Sequence, residues 1–249
     1  MFVVRSKGMF APKQLAAELG TTTRFYPNPD YPNRLFDWTA DFFMRPVSPQ
    51  HVVKHPPEYI ETYNFGTRNK YGQRLTLSEK GIPVPKCAAS KELSATLTGE
   101  RFVVRPLRHT RGMGYRVTSD RLDFTPGTEY ISELYPKRRE YRVTFVFGKP
   151  LIWLRKKQNE GVSPEEPWGH TNSKFQTINN VAASPLSSTT AVSALSGLDI
   201  IKGSHIVAAD IMWNPDAAQP WVCLELNFCP SLEIENNRKK VVEAIRARV

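Results

Sequence analysis

The chain has 249 residues, of which 40% are hydrophobic, and a formal net charge of +10 at pH 7. This is enough for one large domain or two small ones, and no apolar run approaches the ~18 residues of a membrane span. The N-terminus lacks the pattern of a secretion signal, and the scattered cysteines, which show no metal-binding spacing, suit a reducing compartment. We therefore expect a cytoplasmic protein without a membrane partner.

Positive charge is concentrated in residues 101–157, which contain 14 Lys and Arg against five Asp and Glu. A local field of this sign attracts nucleotides, nucleic acids, or acidic small molecules and peptides. The simpler alternative is a solvated basic face that has no partner.

The first 63 residues predict a short N-terminal segment or domain of irregular structure. Residues 2–5 are typical of a short strand, and residues 12–19 are typical of a short helix with Pro12 in its first turn. The stretch 21–57 is rich in proline and aromatic residues, which indicates irregular backbone with short strands.

After this segment the pattern predicts an α+β fold with mostly antiparallel sheet. One helix is predicted to end before Gly81, and two more are predicted at 187–198 and 233–248, the last with acids early and bases late. Residues 156–185 are polar and predict a long loop. Alternating or β-branched runs predict strands at 102–105, 115–118, 129–134, 141–147 and 151–155.

A candidate phosphate-binding loop follows the predicted strand that ends at Arg105. It contains Gly112 and Gly114, and glycine lets backbone N–H groups approach an anion closely. The neighbouring side chains that add charge-assisted donors are Arg108, His109 and Arg111. A glycine pair is more often only a turn, and a local hydrogen bond explains His109 as well as a catalytic role does.

The next strand and its return predict a place for adenine and ribose. Adenine needs extended backbone that offers one donor and one acceptor with apolar cover, and residues 133–136 provide such a segment. Ribose needs a carboxylate for its hydroxyl groups, which Glu140 supplies. Arg142 shares the strand face of Glu140, and Arg155 adds a cation at the end of the following strand. An ordinary exposed ion pair explains Glu140 and Arg142 equally well.

Residues 205–232 carry the most informative pattern of the chain. Two apolar runs flank a proline-containing turn at 214–220, which predicts two antiparallel strands. Glu225 and Asn227 leave the same strand face, and a fold at the midpoint places Asp210 opposite Glu225. Carboxylates facing each other across a sheet repel, and a hard cation such as Mg²⁺ relieves the repulsion. Asp210 or Asn227 alone is better explained as a turn or loop residue, but together with Glu225 they predict a magnesium site.

In this order, the motifs resemble those of the ATP-grasp superfamily of carboxylate–amine ligases. The residues that carry the resemblance are Asn69-Lys70 followed by Gly81-Ile82-Pro83-Val84-Pro85, then 102–106, 108–114, 130–135, Glu140-Tyr141-Arg142-Val143, Asp210-Ile211, and Glu225-Leu226-Asn227-Phe228-Cys229-Pro230. The sequence departs from the family at Arg105, where a lysine is usual, and this swap changes the shape of the cation. The segment before residue 64 is also shorter than the family's usual leading domain.

The resemblance implies an α+β, ATP-grasp-like fold with ATP and Mg²⁺ as cofactors. Two antiparallel-sheet subdomains, 64–135 and 136–249, would grip a nucleotide behind the short irregular segment 1–63. By the same resemblance, the nucleotide contacts are Lys70, Arg105, Arg111, Gly112, Gly114, Glu133, Leu134, Tyr135 and Glu140, the metal ligands are Asp210, Glu225 and Asn227, and the residues that face the transferred phosphate are Arg142 and Arg155.

The implied activity is a ligase that activates a carboxylate as an acyl phosphate, joins it to an amine, and releases ADP and phosphate. The positive charge suggests an acidic small molecule or peptide as substrate. Two alternatives stay open. An ATP-grasp-like kinase would use the same nucleotide half to phosphorylate a hydroxyl group. A non-enzymatic nucleic-acid-binding protein would account for the charge and the aromatic residues, but it leaves Asp210 and Glu225 unexplained.

Overall fold

A small parallel sheet opens the chain in the computed structural model. The residues that the structure describes are 2–5, 11–20, 22–25, 34–37, 70–107, 114–162, 173–203, 206–227, 230, 232 and 234–247. The N-terminal elements are β1 (Phe2–Arg5), α1 (Ala11–Glu18), β2 (Thr22–Phe25) and β3 (Arg34–Asp37). Their strands form a parallel sheet in the order β2-β1-β3. The predicted first strand and first helix are therefore confirmed, and most of the stretch 21–57 lies outside the described residues.

A four-stranded antiparallel sheet follows the helix α2 (Lys70–Glu79). Its elements are β4 (Cys87–Ala88), the helical turn α3 (Lys91–Ser94), β5 (Phe102–Pro106), β6 (Arg116–Thr118) and β7 (Glu129–Glu133). The strand order is β4-β7-β5-β6. Alternate residues such as Phe102, Val104 and Ile131 build a small core on one face, as expected for strands with a period of two.

A five-stranded antiparallel sheet makes up most of the C-terminal half, in the order β10-β9-β8-β11-β12. The elements are β8 (Arg139–Val146), β9 (Lys149–Gln158), β10 (Ser173–Thr177), a 3₁₀ turn (Pro185–Ser188), α4 (Ala191–Gly197), α5 (Asp199–Gly203), β11 (Ile206–Trp213), β12 (Trp221–Asn227) and α6 (Glu235–Arg246). The α+β prediction with mostly antiparallel sheet is confirmed. Among the described residues, no helix has the length and apolar character needed to cross a membrane.

The predicted loop at 156–185 is wrong in two places. β9 continues to Gln158, and β10 pairs with it along Ser173–Thr177. β10 is an outer strand of the sheet and has a single apolar side chain, Phe175. Its sequence therefore lacks the run or alternation of apolar residues that predicts a strand. The helix expected at 187–198 is also shorter, since its first turn is the 3₁₀ turn and the α-helix begins at Ala191.

The strand register divides the large sheet into two faces. Face A is the side of Arg142 and Asp210, which are direct partners in β8 and β11. Face B is the side of Tyr141 and Ile211, which are also direct partners. Face B packs against Leu77 of α2 and against α4 and α5 in the largest hydrophobic cluster. One end of face A packs against α6 and α1 in a second cluster, which leaves the other end of face A for polar residues.

Side chains of α2 form hydrogen bonds with the backbone along the outer edge of β12. The Gln73 side chain accepts from the Leu226 N–H at 2.7 Å and donates to the Leu226 carbonyl at 2.9 Å, as a neighbouring strand would. The Arg74 Nε donates to the Leu224 carbonyl at 3.3 Å, and the Cys223 N–H donates to the Pro83 carbonyl at 2.7 Å. These bonds satisfy buried backbone groups and tie the first residues of α2 to β12.

We expect Gln73→Met to lower the free energy of unfolding by about 2 kcal/mol, because it leaves two buried backbone groups of Leu226 without partners. Urea denaturation measures the change. The matched control is Gln176→Met, since Gln176 is an exposed residue of β10 and its replacement is expected to have little effect. Equal stability of the two variants would contradict the role given to Gln73.

Candidate functional site

The β11–β12 hairpin places the predicted acids as the sequence suggested. Asp210 is the direct partner of Glu225, and Ala208 is the direct partner of Asn227, so all of these lie on face A. A β-bulge follows, because Ile211 pairs with Cys223 and Leu224 is the extra residue. The bulge turns Cys223 into the core on face B, although simple alternation would set it beside Glu225.

Arg142 holds Asp210 in a two-pronged ion pair. Its Nε donates to Asp210 Oδ1 at 2.6 Å and its second terminal nitrogen donates to Oδ2 at 2.7 Å. The guanidinium also lies 4.3 Å from the ring centre of Phe175 in β10. Burial opposes the charge of Arg142, but Asp210 outweighs burial, so the pKa of Arg142 is raised and it stays protonated. Charge-assisted bonds of this geometry are among the strongest that side chains form.

Glu225 is paired with the first residue of α2. Lys70 Nζ lies 3.4 Å from Glu225 Oε2, and both side chains are mostly buried. Because α2 is tied to β12 through Gln73, Lys70 is held over face A. Glu225 also makes ionisation of Asp210 less favourable: burial raises the pKa of Asp210, Arg142 opposes that rise, and Glu225 adds to it.

Glu140 is the buried centre of a second charge cluster on face A. Its two oxygens accept from Lys156 and Lys137, each at 2.7 Å, and Glu140 is 2% exposed. Burial opposes ionisation of Glu140, but the two ammonium groups outweigh it and hold its pKa below the usual value. Burial lowers the pKa of Lys137, and Glu140 counters that effect. Lys137 therefore belongs to this mostly buried cluster rather than to the solvated surface.

Sequence reasoning missed Lys156 because the β8–β9 hairpin contains a bulge. Val146 pairs with Lys149 next to the turn, but Thr144 pairs with Ile152, which makes Leu151 the extra residue. If the pairing continued from the turn without that bulge, Glu140 would be the direct partner of Arg155. With the bulge, Glu140 faces Lys156, and Arg155 pairs with Tyr141 on face B. One extra residue therefore exchanges the faces of two neighbouring cations.

The segment predicted to hold adenine is tightly bonded within the chain. The Glu133 carboxylate accepts from the backbone N–H groups of Thr98 at 2.8 Å and Gly99 at 3.3 Å. The Leu134 N–H donates to the Arg101 carbonyl at 2.9 Å. The Tyr135 hydroxyl donates to the Gln219 carbonyl at 2.8 Å, and burial raises the pKa of Tyr135 to about 12. Glu133 and Leu134 are thus bonded to residues beside the smaller sheet, Tyr135 is bonded to the turn between β11 and β12, and the contact of these residues with adenine stays a prediction.

Arg105 reaches the same region from the smaller sheet. It is the direct partner of Tyr130 in β7, its charge acts on Lys137, and its buried Nε has no hydrogen-bond partner among the described residues. A buried donor of this kind calls for an acceptor. Gly114 has φ +72°, and a Cβ there would lie 3.1 Å from Pro106, so glycine is required. Arg111 and Gly112 lie outside the described residues.

The structure therefore brings most of the predicted site residues together and leaves one apart. Face A holds Glu140, Arg142, Asp210, Glu225 and Asn227, with Lys70 above them. Arg155 lies on the opposite face of the sheet. Residues 133–135, the segment predicted to hold adenine, and Arg105 approach from the smaller sheet.

The donor set of face A has the chemistry that Mg²⁺ prefers. Among the described residues, no group of three or more His, Cys, Asp and Glu could hold a metal ion. Asp210 and Glu225 with the Asn227 amide nevertheless supply hard oxygen donors on adjacent strands, and few protein oxygens suffice for Mg²⁺ when phosphates complete its shell. Both Asp210 oxygens accept from Arg142, and Glu225 lies 3.4 Å from Lys70, so a metal ion would share these carboxylates with cations.

No family model matches the sequence, and no curated protein matches it. The macrocyclase MdnC bound with precursor peptide MdnA, from Microcystis aeruginosa MRC, matches with a TM-score of 0.61 at 12% identity, over 99% of this chain and 99% of that chain. The ATP-grasp ligase PsnB complexed with minimal precursor, Mg and ADP matches with a TM-score of 0.57 at 15% identity, over 99% and 96%. D-alanine–D-alanine ligase from Bacillus anthracis complexed with ATP matches with a TM-score of 0.53 at 15% identity, over 92% and 85%.

The chain has the ATP-grasp fold. The match extends over nearly the whole of this chain and of those relatives, so the short N-terminal sheet belongs to the compared architecture. The predicted fold is confirmed. The roles of individual residues in this ATP-grasp fold stay predictions, because the sequence identity is low.

Proposed function

We propose that the protein is an ATP- and Mg²⁺-dependent ligase that joins a carboxylate to an amine. The observation that carries the proposal is the convergence of Lys70, Arg142, Asp210 and Glu225 on face A of an ATP-grasp fold. They come from four separate elements, and the buried acids are held by cations that an incoming polyanion can share. This arrangement suits the binding of a triphosphate together with a divalent ion.

The proposed reaction has two steps. A substrate carboxylate oxygen attacks the γ-phosphorus of ATP, the bond to the β-phosphate oxygen breaks, and ADP leaves. The amine nitrogen then attacks the acyl carbon, the carbon–oxygen bond to phosphate breaks, and the amine gives up a proton as the amide forms. The protein contributes positioning and charge neutralisation to both steps rather than a covalent group.

Residues of this chain divide those tasks by position. Arg142, fixed by Asp210, offers a guanidinium that cannot rotate away from the transferring oxygens. Lys70 and Arg105 approach the same region from α2 and β5, and they would neutralise phosphate oxygens. Lys156 and Lys137 are held by Glu140, so that their ammonium groups stay in place before a ligand arrives. Catalysis benefits when such groups are oriented in advance.

Mg²⁺ would be held by Glu225 and Asn227, with Asp210 as the third oxygen donor. When bound, the ion neutralises phosphate charge. Lys70 would then exchange its contact with Glu225 for one with phosphate.

An acidic peptide is the proposed carboxylate substrate. The excess of cations suits an acidic partner. MdnC bound with precursor peptide MdnA and PsnB complexed with precursor peptide PsnA2 are both among the structures that match this chain. We propose the division 1–63, 64–135 and 136–249 for the N-terminal segment and the two halves that enclose the nucleotide, which the separate sheets support.

A thermal-shift series tests nucleotide choice and metal dependence together. ATP with Mg²⁺ at about 100 times its Kd is expected to add about 2.7 kcal/mol of stability, whereas GTP and metal-free ATP are expected to add less. ADP and phosphate release is then measured with an acidic peptide, with and without an amine. An accumulating phosphorylated product without any need for an amine would assign a kinase instead. No response to Mg-ATP would sink the ligase proposal.

A further inference from the structure

Charge is distributed unequally between the two faces of the large sheet. Within its five described strands, the carboxylates are Glu140, Asp210 and Glu225, and the register places all three on face A. The cations of face A near them are paired: Arg142 with Asp210 and Lys156 with Glu140. The strand positions of face B contain no carboxylate at all.

Face B nevertheless carries four cations at its open end. We call Arg139, Arg155, Lys157 and Lys174 the basic patch. Lys157 of β9 is the direct partner of Lys174 of β10, and the register that pairs Glu140 with Lys156 sets Arg139 beside Lys157. Three like charges therefore stand in one row across β8, β9 and β10, with neighbouring strands about 4.8 Å apart.

Such a row is unfavourable without an anion. Like charges directly opposite each other on a sheet destabilise it, and no member of the basic patch forms a salt bridge with another described residue. Lys157 and Lys174 are exposed. Arg155 is half-buried, and its buried Nε has no hydrogen-bond partner within the described part of the chain.

An aromatic side chain borders the basic patch. The Arg139 guanidinium lies 5.6 Å from the ring centre of Trp213, which is half-buried against the core. The planar guanidinium groups of Arg139 and Arg155 match the fork of a carboxylate, and the two lysines add charges that are not directional. Guanidinium forks also match phosphate, so the charges by themselves suit either anion, and a peptide is favoured because MdnC and PsnB are bound to precursor peptides in structures that match this chain.

We propose that the basic patch on face B binds an acidic segment of a peptide, apart from the site on face A. That this peptide is the substrate whose carboxylate is activated rests on the proposed function. The docking site would raise the local concentration of the peptide, while chemistry takes place on the other side of the sheet. Arg155, expected from sequence to face the phosphate, would instead serve recognition.

Binding of a fluorescent peptide of alternating Glu and Gly, followed by anisotropy, tests the proposal. The variant Lys157→Glu/Lys174→Glu is expected to bind at least about 10-fold more weakly than the unmodified protein. The matched control is Lys149→Glu/Lys240→Glu, which makes the same change in net charge at exposed lysines away from the basic patch, and it is expected to stay within about 2-fold. Arg155→Met is expected to weaken binding by about 3-fold or more, and a Gln-Gly peptide is expected not to bind.

The outcomes separate the two proposals. Equal loss of affinity in both double variants would overturn the docking site, because only net charge would matter. Stronger binding of oligothymidylate than of the acidic peptide, lost on the same substitutions, would overturn it in favour of nucleic acid. The thermal shift with Mg-ATP is expected to be unchanged in every variant. If Mg-ATP gives no shift in any protein while the peptide still depends on Lys157 and Lys174, the docking site stands and the ligase proposal fails.

Discussion

Glu140→Gln is expected to lower the free energy of unfolding by about 3–5 kcal/mol, one of the largest effects available in this chain. The change keeps the shape of the side chain but removes the negative charge between Lys137 and Lys156, whose nitrogens each lie 2.7 Å from it. Removing one partner of a buried ion pair leaves uncompensated charge in a poorly solvated place. Urea denaturation at pH 7 measures the loss.

Two further variants make this test specific to the cluster. Glu160→Gln removes a carboxylate from an exposed turn and is expected to change stability by less than about 0.5 kcal/mol. Adding Lys137→Met to Glu140→Gln removes one of the two stranded cations, and it is expected to restore part of the loss. A double variant that is less stable than Glu140→Gln by the full cost of Lys137→Met alone would show that the two residues do not interact.

The stability difference also has a defined pH dependence. Lys137 and Lys156 outweigh burial and hold the pKa of Glu140 below its ordinary value. A carboxylate with a lowered pKa in the folded state stabilises the protein above its unfolded-state pKa, and that stabilisation is lost as the pH falls through the folded-state value. The gap between the unmodified protein and Glu140→Gln is therefore expected to narrow on acidification below about pH 4.5. A gap that widens there would contradict the assigned ion pairs.

Glu225→Gln is expected to reduce amide formation by about 100-fold or more and to remove the Mg²⁺ dependence of ATP binding. The substitution keeps an oxygen donor but deletes the charge that a divalent ion needs, and it frees Lys70 from its contact at 3.4 Å. The thermal shift with Mg-ATP is expected to fall to that of ATP alone. This readout does not depend on knowing the substrates.

Glu243→Gln is the control for Glu225→Gln, because Glu243 is an exposed carboxylate of α6. It is expected to leave both the thermal shift and turnover unchanged. If Glu225→Gln keeps the full response to Mg²⁺, the metal site is not on face A, and Asp210 would then be only the partner of Arg142.

Sequence patterns were sufficient where the geometry is local. The turn at 214–220 and the apolar alternation on both sides of it predict the hairpin and bring Asp210 close to Glu225. Counting back from the turn without a bulge pairs Asp210 with Leu224, and the bulge at Leu224 shifts that pairing by one residue to Glu225. The shared face of Glu225 and Asn227 follows from the period of two in a strand. The order of motifs was also enough to predict the ATP-grasp fold.

Sequence patterns were insufficient where one extra residue or a distant element decides the contact. The bulge at Leu151 moves Lys156 to Glu140 and sends Arg155 to face B. A bulge of this kind has no marker in the residue types around it. β10 escaped detection because its one apolar side chain, the half-buried Phe175, forms neither an apolar run nor an alternation.

By itself, the sequence determined most secondary-structure elements around the site, the hairpin that carries Asp210 and Glu225, and the excess of positive charge. These depend on residue periodicity and composition, which act over a few positions along the chain. Only the tertiary structure decided that Lys70 reaches Glu225, that Glu140 is shared by two lysines, and that four cations on face B form no salt bridge with another residue that the structure describes. Those contacts depend on strand register and on the packing of α2 against β12, and both arise between residues far apart in sequence.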